Sequence, residues 1–179
     1  MTKILAVLFS ITLLFLSSHA SAQWRTKSGE AIPESNHVKS ANGFNAMLLM
    51  TPDPNWMDEW NTPSIYDPQF TTASEVSLGG QLNILAILSN PGLDSEKLAN
   101  VSCDFSVQRP DGSYSIDQKD MECFKTKLEG DPNNLYMTSA TLKFISEESD
   151  QKGTYKVSVN LHDKIRGVSL TVSDSFINK

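Results

Sequence analysis

The feature that most constrains the fold of this chain is a strict alternation of apolar and polar residues in several short segments. In one segment the apolar side chains occupy every second position: Val101, Cys103, Phe105 and Val107. The same period recurs later in the chain, at Tyr155, Val157, Val159 and Leu161. Because successive side chains of a strand point to opposite faces, this period predicts β-strands with one buried face.

The N-terminal residues have the layout of a secretory signal peptide. Lys3 precedes an apolar run from Ile4 to Leu16, and the small residues Ala20-Ser21-Ala22 follow it. This order predicts cleavage after Ala22, so that residues 1–22 are removed and the mature chain starts at Gln23. An uncleaved anchor is the alternative. No later segment is apolar enough to span a membrane, so we expect a periplasmic or secreted protein without membrane insertion of the mature chain.

The charge balance argues against two classes of partner. The chain has 21 acidic and 15 basic side chains and a net charge of −6, and removal of Lys3 makes the mature chain one unit more negative. Lysine and arginine do not cluster along the sequence. The chain is therefore not expected to bind nucleic acid or anionic membrane surfaces.

The mature chain divides into a polar lead-in and one domain. Residues 23–43 are polar and lack periodicity, which predicts a flexible lead-in. Residues 44–179 contain about seven short apolar or alternating segments, separated by turn signals, and one short helical turn. That pattern predicts a single all-β domain, an antiparallel β-sandwich. One strand is predicted to run unbroken from Leu135 to Ser146, and the last two segments are predicted to form a hairpin.

Two cysteines are predicted to form a disulfide. The segment Arg109-Pro110-Asp111-Gly112 is a turn signal, and it predicts a hairpin between the strands on either side. If that hairpin is centred between Pro110 and Asp111, and a bulge or a longer loop is allowed for, Cys103 and Cys123 fall almost opposite each other. A pair of cysteines in an exported chain favours a disulfide, and two free buried thiols are the alternative.

The residues Asp150, Gly153 and Tyr155 resemble the D-x-x-G-x-Y motif at the start of a strand in immunoglobulin-like domains. The resemblance covers Val76 to Ile177 and implies an immunoglobulin-like sandwich. It also implies a tyrosine corner, in which the Tyr155 ring packs inside and its hydroxyl bonds back to the backbone. The chain departs from that family in its disulfide, since the cysteines are too close together and no tryptophan lies between them.

The mature chain also resembles a group of small exported proteins of Gram-negative bacteria. The elements that carry this resemblance are Asn42-Gly43-Phe44, Thr51-Pro52-Asp53 with Trp56, Trp60 and Thr62-Pro63, the run from Arg109 to Ser115, and Gly153-Thr154-Tyr155. The resemblance implies export and a sandwich fold, and it implies no activity.

The best candidate for a binding site is the stretch from Thr51 to Pro63. Asp53 is predicted to cap a short helix that has Pro54 in its first turn. Trp56 and Trp60 then share one helix face, with Met57 beside them. Two interpretations remain open. Either both indoles cover one end of the sandwich, or Trp56, Met57 and Trp60 form a partly exposed anchor for a protein or glycan partner.

The residues with reactive or metal-binding side chains do not form a recognisable catalytic set. A site at His162 with a neighbouring serine and Asp163 is an alternative, although adjacent residues in a turn rarely orient each other. Glu147, Glu148 and Asp150 are predicted to form a solvated turn rather than a calcium site. The methionines, Met47, Met50 and Met57, are predicted to fill the core rather than to bind copper. No cofactor is expected.

These observations together favour an exported, non-enzymatic protein that binds another envelope or extracellular macromolecule. Three alternatives remain: a periplasmic inhibitor or immunity-type protein, a structural subunit of the envelope, and a hydrolase with a carboxylate-based site.

Overall fold

The fold was analysed in a computed structural model that describes Trp24, residues 29–62 and residues 70–179. The predicted signal peptide, residues 1–22, lies outside the described residues. The described chain forms two five-stranded sheets packed on each other, and one helix of five residues. The predicted all-β sandwich with a short helical turn is therefore confirmed. It is built from ten described strands where about seven were predicted, and the immunoglobulin-like arrangement of the strands stays a prediction.

In chain order the elements are β1 (Val38–Ala41), β2 (Phe44–Thr51), α1 (Trp56–Trp60), β3 (Glu75–Val76), β4 (Gln81–Ser89), β5 (Leu98–Gln108), β6 (Tyr114–Lys127), β7 (Leu135–Met137), β8 (Leu142–Ile145), β9 (Gly153–Asp163) and β10 (Val168–Asn178). The first sheet has the order β1-β2-β4-β7, and β8 pairs with β4 beside β7. The second sheet has the order β3-β10-β9-β5-β6. Among the described strands, only the short β3 pairs in parallel, with β10.

The main core lies between the two sheets, where the alternating residues of the sequence meet. The second sheet contributes Val101, Cys103, Phe105, Val107, Tyr155, Val157, Val159 and Leu161, all nearly inaccessible to solvent. The first sheet contributes Leu82, Ile84, Ala86 and Leu88 from β4. Period-2 alternation thus places one face of each strand in the core, as predicted.

A second, smaller cluster covers the outer face of the first sheet. We call it the outer cluster: Trp24, Val38 and Ile87, with Ile32, Met47, Leu49, Trp60 and Met137 packed against them. Its existence follows from the composition of β2 and β4, which carry apolar side chains on both faces. An apolar outer face needs a cover, because exposing it to water is unfavourable.

The predicted flexible lead-in, residues 23–43, is wrong for its described end. Val38–Ala41 forms β1 and pairs antiparallel with β2, and Asn42-Gly43 makes the hairpin turn with φ angles of 48° and 86°. Trp24 is only 6% exposed, and its carbonyl accepts a hydrogen bond from Ile32 N. The segment is polar on average, yet its few apolar side chains provide the cover that β2 and β4 require.

The predicted single strand from Leu135 to Ser146 is also wrong, because the structure divides it into β7 and β8. Between them the Thr138 N–H and hydroxyl both donate to Ala86 O, at 3.0 and 3.1 Å. The next residue, Ser139, donates its N–H to Cys123 O of the other sheet at 2.7 Å. The Thr138 N–H bond extends the pairing of β7 with β4, but the Ser139 N–H then bonds to the other sheet, so the pairing with β4 stops there, which explains the interruption.

Both predicted hairpins are present. In the turn from Arg109 to Gly112 the Gly112 N–H donates to Arg109 O at 3.0 Å, and β5 and β6 pair on either side of it. Strands β9 and β10 pair along their full length. The predicted disulfide joins Cys103 of β5 to Cys123 of β6 and is confirmed.

Candidate functional site

The helix α1 lies where the sequence places it, but its start differs from the prediction. The residue before the helix is Asn55, and no side chain caps it. Asp53, the predicted cap, instead accepts the Asn55 N–H on its Oδ1 at 2.8 Å, which forms an Asx turn ahead of the helix. The reason is local: an aspartate followed by proline bonds most readily to the N–H two residues further on.

The segment that leads into α1 is fixed to the sheet by one buried side chain. Asn83 of β4 is 5% exposed, and its Nδ2 donates to Asp53 O at 2.8 Å and to Thr51 O at 3.4 Å. The Asp53 N–H also donates to Thr51 Oγ1 at 3.2 Å. The start of the helix is therefore held in place by groups outside it.

None of the five residues of α1 is buried. Met57 is 57% exposed, while Trp56 and Trp60 are half-buried. Trp60 packs against the outer cluster, so its indole has a structural role in addition to any contact with a partner. The structure thus brings Trp56, Met57 and Trp60 into one helical turn. We call these three residues the α1 surface.

Three carboxylates of the described residues lie in or just before α1. Asp58 is exposed and Glu59 is partly exposed in the same helix, and Asp53 precedes it. Among the described residues none of these three carboxylates takes part in an ion pair. An apolar and aromatic surface beside carboxylates that form no ion pair among the described residues suits a partner that carries both apolar and basic groups.

A second polar cluster was missed by the sequence analysis. His162 of β9 contacts Ser169 of β10 through Nδ1, 2.8 Å from Ser169 Oγ, and Asp104 of β5 through Nε2, 3.2 Å from Asp104 Oδ2. Asp163, the partner considered from sequence, points to the other side and is 1% exposed. Strand pairing brings the cluster together, because Ser169 is the register partner of His162. The hairpin turn at Gly167 was the signal that could have found this pair.

The carboxylates beside His162 are stabilised in their charged form. The pKa of Asp104 is lowered, chiefly because the Asp120 N–H donates to its Oδ1 at 2.9 Å, and then because His162 bonds to it. The pKa of Asp120 is lowered by the Lys164 ammonium, 2.8 Å from Asp120 Oδ1. Charge is therefore paired within the cluster.

The His162 cluster departs from the geometry of a serine hydrolase. In the Ser-His-Asp template the carboxylate contacts Nδ1 of the imidazole and the serine contacts Nε2. In this chain the two contacts are exchanged. The cluster also lies on the open outer face of the second sheet, where water has access. This arrangement can orient His162.

The residue predicted to form a tyrosine corner, Tyr155, is buried in the core. Its ring stacks on Phe176 with centroids 5.1 Å apart and an interplanar angle of 9°, and burial raises the pKa of its hydroxyl. The backbone of Gln151, four residues upstream, faces the hydroxyl, but the two groups do not complete a hydrogen bond. The ring thus has its predicted place, while the hydrogen bond of a tyrosine corner is not formed.

Within the described residues, no group of three or more histidine, cysteine, aspartate or glutamate side chains could hold a metal ion. No helix in the described part of the chain is long and apolar enough to cross a membrane.

Comparisons with known proteins give no family. No protein-family model matches the sequence, and no curated protein sequence matches it. A family 123 glycoside hydrolase from Clostridium perfringens is similar in structure over 75% of this chain and 27% of its own, with 10% identity and a TM-score of 0.41. The Pseudomonas fluorescens alkylpurine DNA glycosylase AlkC, solved with DNA containing an abasic-site analogue, is similar over 59% of this chain and 28% of its own, with 12% identity and a TM-score of 0.37. The chain spans less than a third of either protein, and likeness at this level bears on neither function.

Proposed function

We propose that this chain is an exported, non-enzymatic binding protein that recognises another protein of the envelope or the extracellular space through the α1 surface. The observation that carries the proposal is the exposure of α1. Met57 is 57% exposed between two half-buried tryptophans, on a helix whose start is fixed to β4 by Asn83. Aromatic rings on a fixed backbone lose little conformational entropy on binding, which favours their use as anchors, and the flexible Met57 side chain can adapt to the surface of a partner.

Export is part of the proposal. The Cys103–Cys123 disulfide is compatible with an oxidising compartment, and the predicted signal peptide provides the route to the periplasm or beyond. The carboxylates of Asp53, Asp58 and Glu59 beside the α1 surface favour a basic partner. Such a partner could be a basic enzyme that this chain neutralises, as an inhibitor or immunity protein does.

Site-specific photo-crosslinking tests the proposal directly. Met57 is replaced by the photo-reactive amino acid p-benzoylphenylalanine in the producing cell, and the matched control carries the same amino acid at Leu78, which is 59% exposed outside the helix. We expect a discrete protein adduct from position 57 and none from position 78. Adding Trp56→Ala should remove the adduct, while the variant keeps its thermal unfolding midpoint.

Other outcomes overturn the proposal in distinguishable ways. An adduct with the mass of two copies of this chain indicates a structural subunit that assembles with itself. Equal adducts from positions 57 and 78 indicate non-specific contact. Retention of the protein by envelope polysaccharide that Trp56→Ala abolishes, with no protein adduct, indicates a glycan partner at this surface.

A hydrolase is the second candidate function, because His162 contacts both Asp104 and Ser169. The exchanged contacts of the imidazole and the open position of the cluster argue against it. Labelling with a fluorophosphonate probe is the test, with Ser169→Ala as the variant and Ser175→Ala as the control on the same strand. Stoichiometric labelling that Ser169→Ala removes would show that the chain is a hydrolase, and it would overturn the proposal that it is a non-enzymatic binding protein.

A further inference from the structure

The outer face of the second sheet divides into two halves with different hydrogen bonding. In one half the polar side chains bond to one another: His162 to Asp104 and Ser169, and Asn160 to Thr171 at 3.2 Å. In the other half a groove of about 430 Å³ crosses β5, β9 and β10. We call it the hydroxyl groove, and its hydroxyl side chains are Ser106, Thr154, Ser158, Ser173 and Ser175.

The serines of the hydroxyl groove form a straight row. Ser106 is the register partner of Ser158, and Ser158 is the register partner of Ser173. Since neighbouring strands lie about 4.8 Å apart, the row presents one hydroxyl at each step of about 4.8 Å across the sheet. An extended ligand that crosses the strands would meet these hydroxyls one after another.

The side-chain hydroxyls of the groove are free to bind a ligand. Among the described residues, none of the five has a hydrogen-bond partner for its side chain, in contrast to Ser169 and Thr171 on the other half of the same face. A hydroxyl both donates and accepts, and a short side chain loses little rotamer freedom on binding. Sugar hydroxyls have the same dual character, so the groove and a glycan are complementary in hydrogen bonding.

The lining of the groove also includes an aromatic ring and one charge of each sign. Tyr114 of β6 lines it and is 54% exposed, which leaves its ring available to pack on a sugar ring. Lys156 and Asp174 also line the groove, one of each sign. With no excess of either charge, the groove favours a neutral ligand over an anionic one.

We propose that the hydroxyl groove is a binding site for a neutral glycan chain, which lies across β5, β9 and β10 with one sugar ring on Tyr114. This site goes beyond the proposed function. It lies on the second sheet, whereas α1 follows β2 of the first sheet, and it takes a different class of partner. The crosslinking experiment at Met57 and the glycan experiment therefore succeed or fail independently.

Affinity electrophoresis in native gels tests the site. Gels are cast with dextran, glycogen or galactomannan as neutral polysaccharides, and with alginate as an anionic control. We expect the full-length mature chain to be retarded by at least one neutral polysaccharide and not by alginate. Tyr114→Ala should raise the dissociation constant for that polysaccharide about tenfold, which corresponds to the loss of roughly 1.4 kcal/mol of binding free energy. The gel should show this as weaker retardation.

Two further variants locate the site on the sheet face. Ser158→Leu places an apolar side chain in the middle of the hydroxyl row and should abolish retardation. Thr171→Leu makes the same kind of change on the half of the face whose side chains bond to one another, and it should leave retardation unchanged. Circular dichroism and thermal unfolding verify that each variant is folded.

Three results would overturn the proposal. If Ser158→Leu and Thr171→Leu are retarded like the wild type, the glycan binds elsewhere on the molecule. If alginate retards the protein more than the neutral polysaccharides do, the ligand is anionic. If the folded wild-type chain is retarded in none of the neutral gels, the free hydroxyls bind only water.

Discussion

Cys103 and Cys123 are bonded across the hairpin of β5 and β6, although the strand ladder pairs Cys103 with Met121 and not with Cys123. The ladder shifts register on both sides of this pair, so irregularities in β5 and β6 bring the two sulfur atoms together. The Cα atoms of the two cysteines are 5.8 Å apart, within the usual range for a disulfide. Both residues are fully buried, so the bond is part of the main core.

The first prediction concerns the energy of this disulfide. Cys103→Ala with Cys123→Ala should lower the free energy of unfolding by roughly 3 kcal/mol, because the bond closes a loop of 20 residues in the unfolded chain. Urea denaturation under oxidising conditions measures the loss. Wild type unfolded in the presence of a reductant is the control and should show a similar loss. A double variant as stable as oxidised wild type would contradict the prediction.

The second prediction concerns a buried aspartate that organises the turn after β9. Asp163 is 1% exposed and accepts N–H groups from Gly92, Ile165 and Arg166, at 2.6, 3.1 and 2.9 Å. Asp163→Ala should lower the free energy of unfolding by about 3 kcal/mol, because three N–H groups lose their acceptor. Asp163→Asn keeps one acceptor oxygen and should lose less.

The control for Asp163 is Asp174→Ala, which removes an exposed carboxylate from β10. Its free energy of unfolding should change by less than about 0.5 kcal/mol. Equal losses for the two alanine variants would show that Asp163 has no special role. Gly92→Ala is an independent check, because a Cβ there would lie 2.7 Å from Arg166 N and 2.9 Å from Asp163 Oδ1.

The third prediction concerns the hydroxyl of Tyr155. Since this buried hydroxyl completes no hydrogen bond, Tyr155→Phe should keep the free energy of unfolding or raise it by up to about 1 kcal/mol. A tyrosine corner with a formed hydrogen bond predicts the opposite, a loss of about 1 kcal/mol or more. Chemical denaturation distinguishes the two. Tyr136→Phe is the control, because its hydroxyl donates to Asp131 O at 2.7 Å and its removal should be destabilising.

The fourth prediction concerns the pH dependence of the turn between β5 and β6. The pKa of Asp111 is lowered from 3.8 to about 2, first by the Gln151 amide, which donates to Oδ2 at 2.7 Å, and then by Ser113. A lowered folded-state pKa means that the stabilisation is present above pH 3.8. It is lost as the pH falls towards 2.

Removing the Gln151 amide should therefore raise the pKa of Asp111 towards 3.8. In Gln151→Ala an NMR titration of the Asp111 carboxyl should show this rise. Gln118→Ala, an exposed change on β6 that leaves the Asp111 contacts intact, is the control. An unchanged Asp111 titration in Gln151→Ala would show that Ser113 and Arg109 hold the carboxylate without Gln151.

The alternating segments were predictable because the main core depends on side-chain period alone. The hairpin of β9 and β10 is an example. Its turn at Gly167 and the alternation that includes Tyr155 and Phe176 all lie within one short stretch, and they determine which face of the hairpin is apolar. The disulfide followed from the same reasoning, since hairpin register places Cys103 near Cys123. The position of α1 was predictable for a similar reason, although its capping was not.

The interruption between β7 and β8 and the docking of β1 had no local signal. The residues around Thr138 are compatible with an unbroken strand. The bonds of Thr138 to Ala86 form only because β4 lies beside it. Val38 lies in a polar segment, and it is buried because the outer face of β2 and β4 needs a cover. Each of these features depends on a partner far away in the sequence, which side-chain period cannot report.

The sequence by itself therefore determined the sandwich class, the strands of the main core, the two long hairpins and the disulfide, since each depends on alternation and turn chemistry within a short stretch. Tertiary structure alone decided which polar side chains meet on the sheet faces. It paired His162 with Asp104 rather than with Asp163, and it left the hydroxyls of Ser106, Ser158 and Ser173 without a hydrogen-bond partner among the described residues. The reason is physical: the register between β5, β9 and β10 is fixed by packing of the core on the opposite face, and that packing sets the positions of the outward side chains.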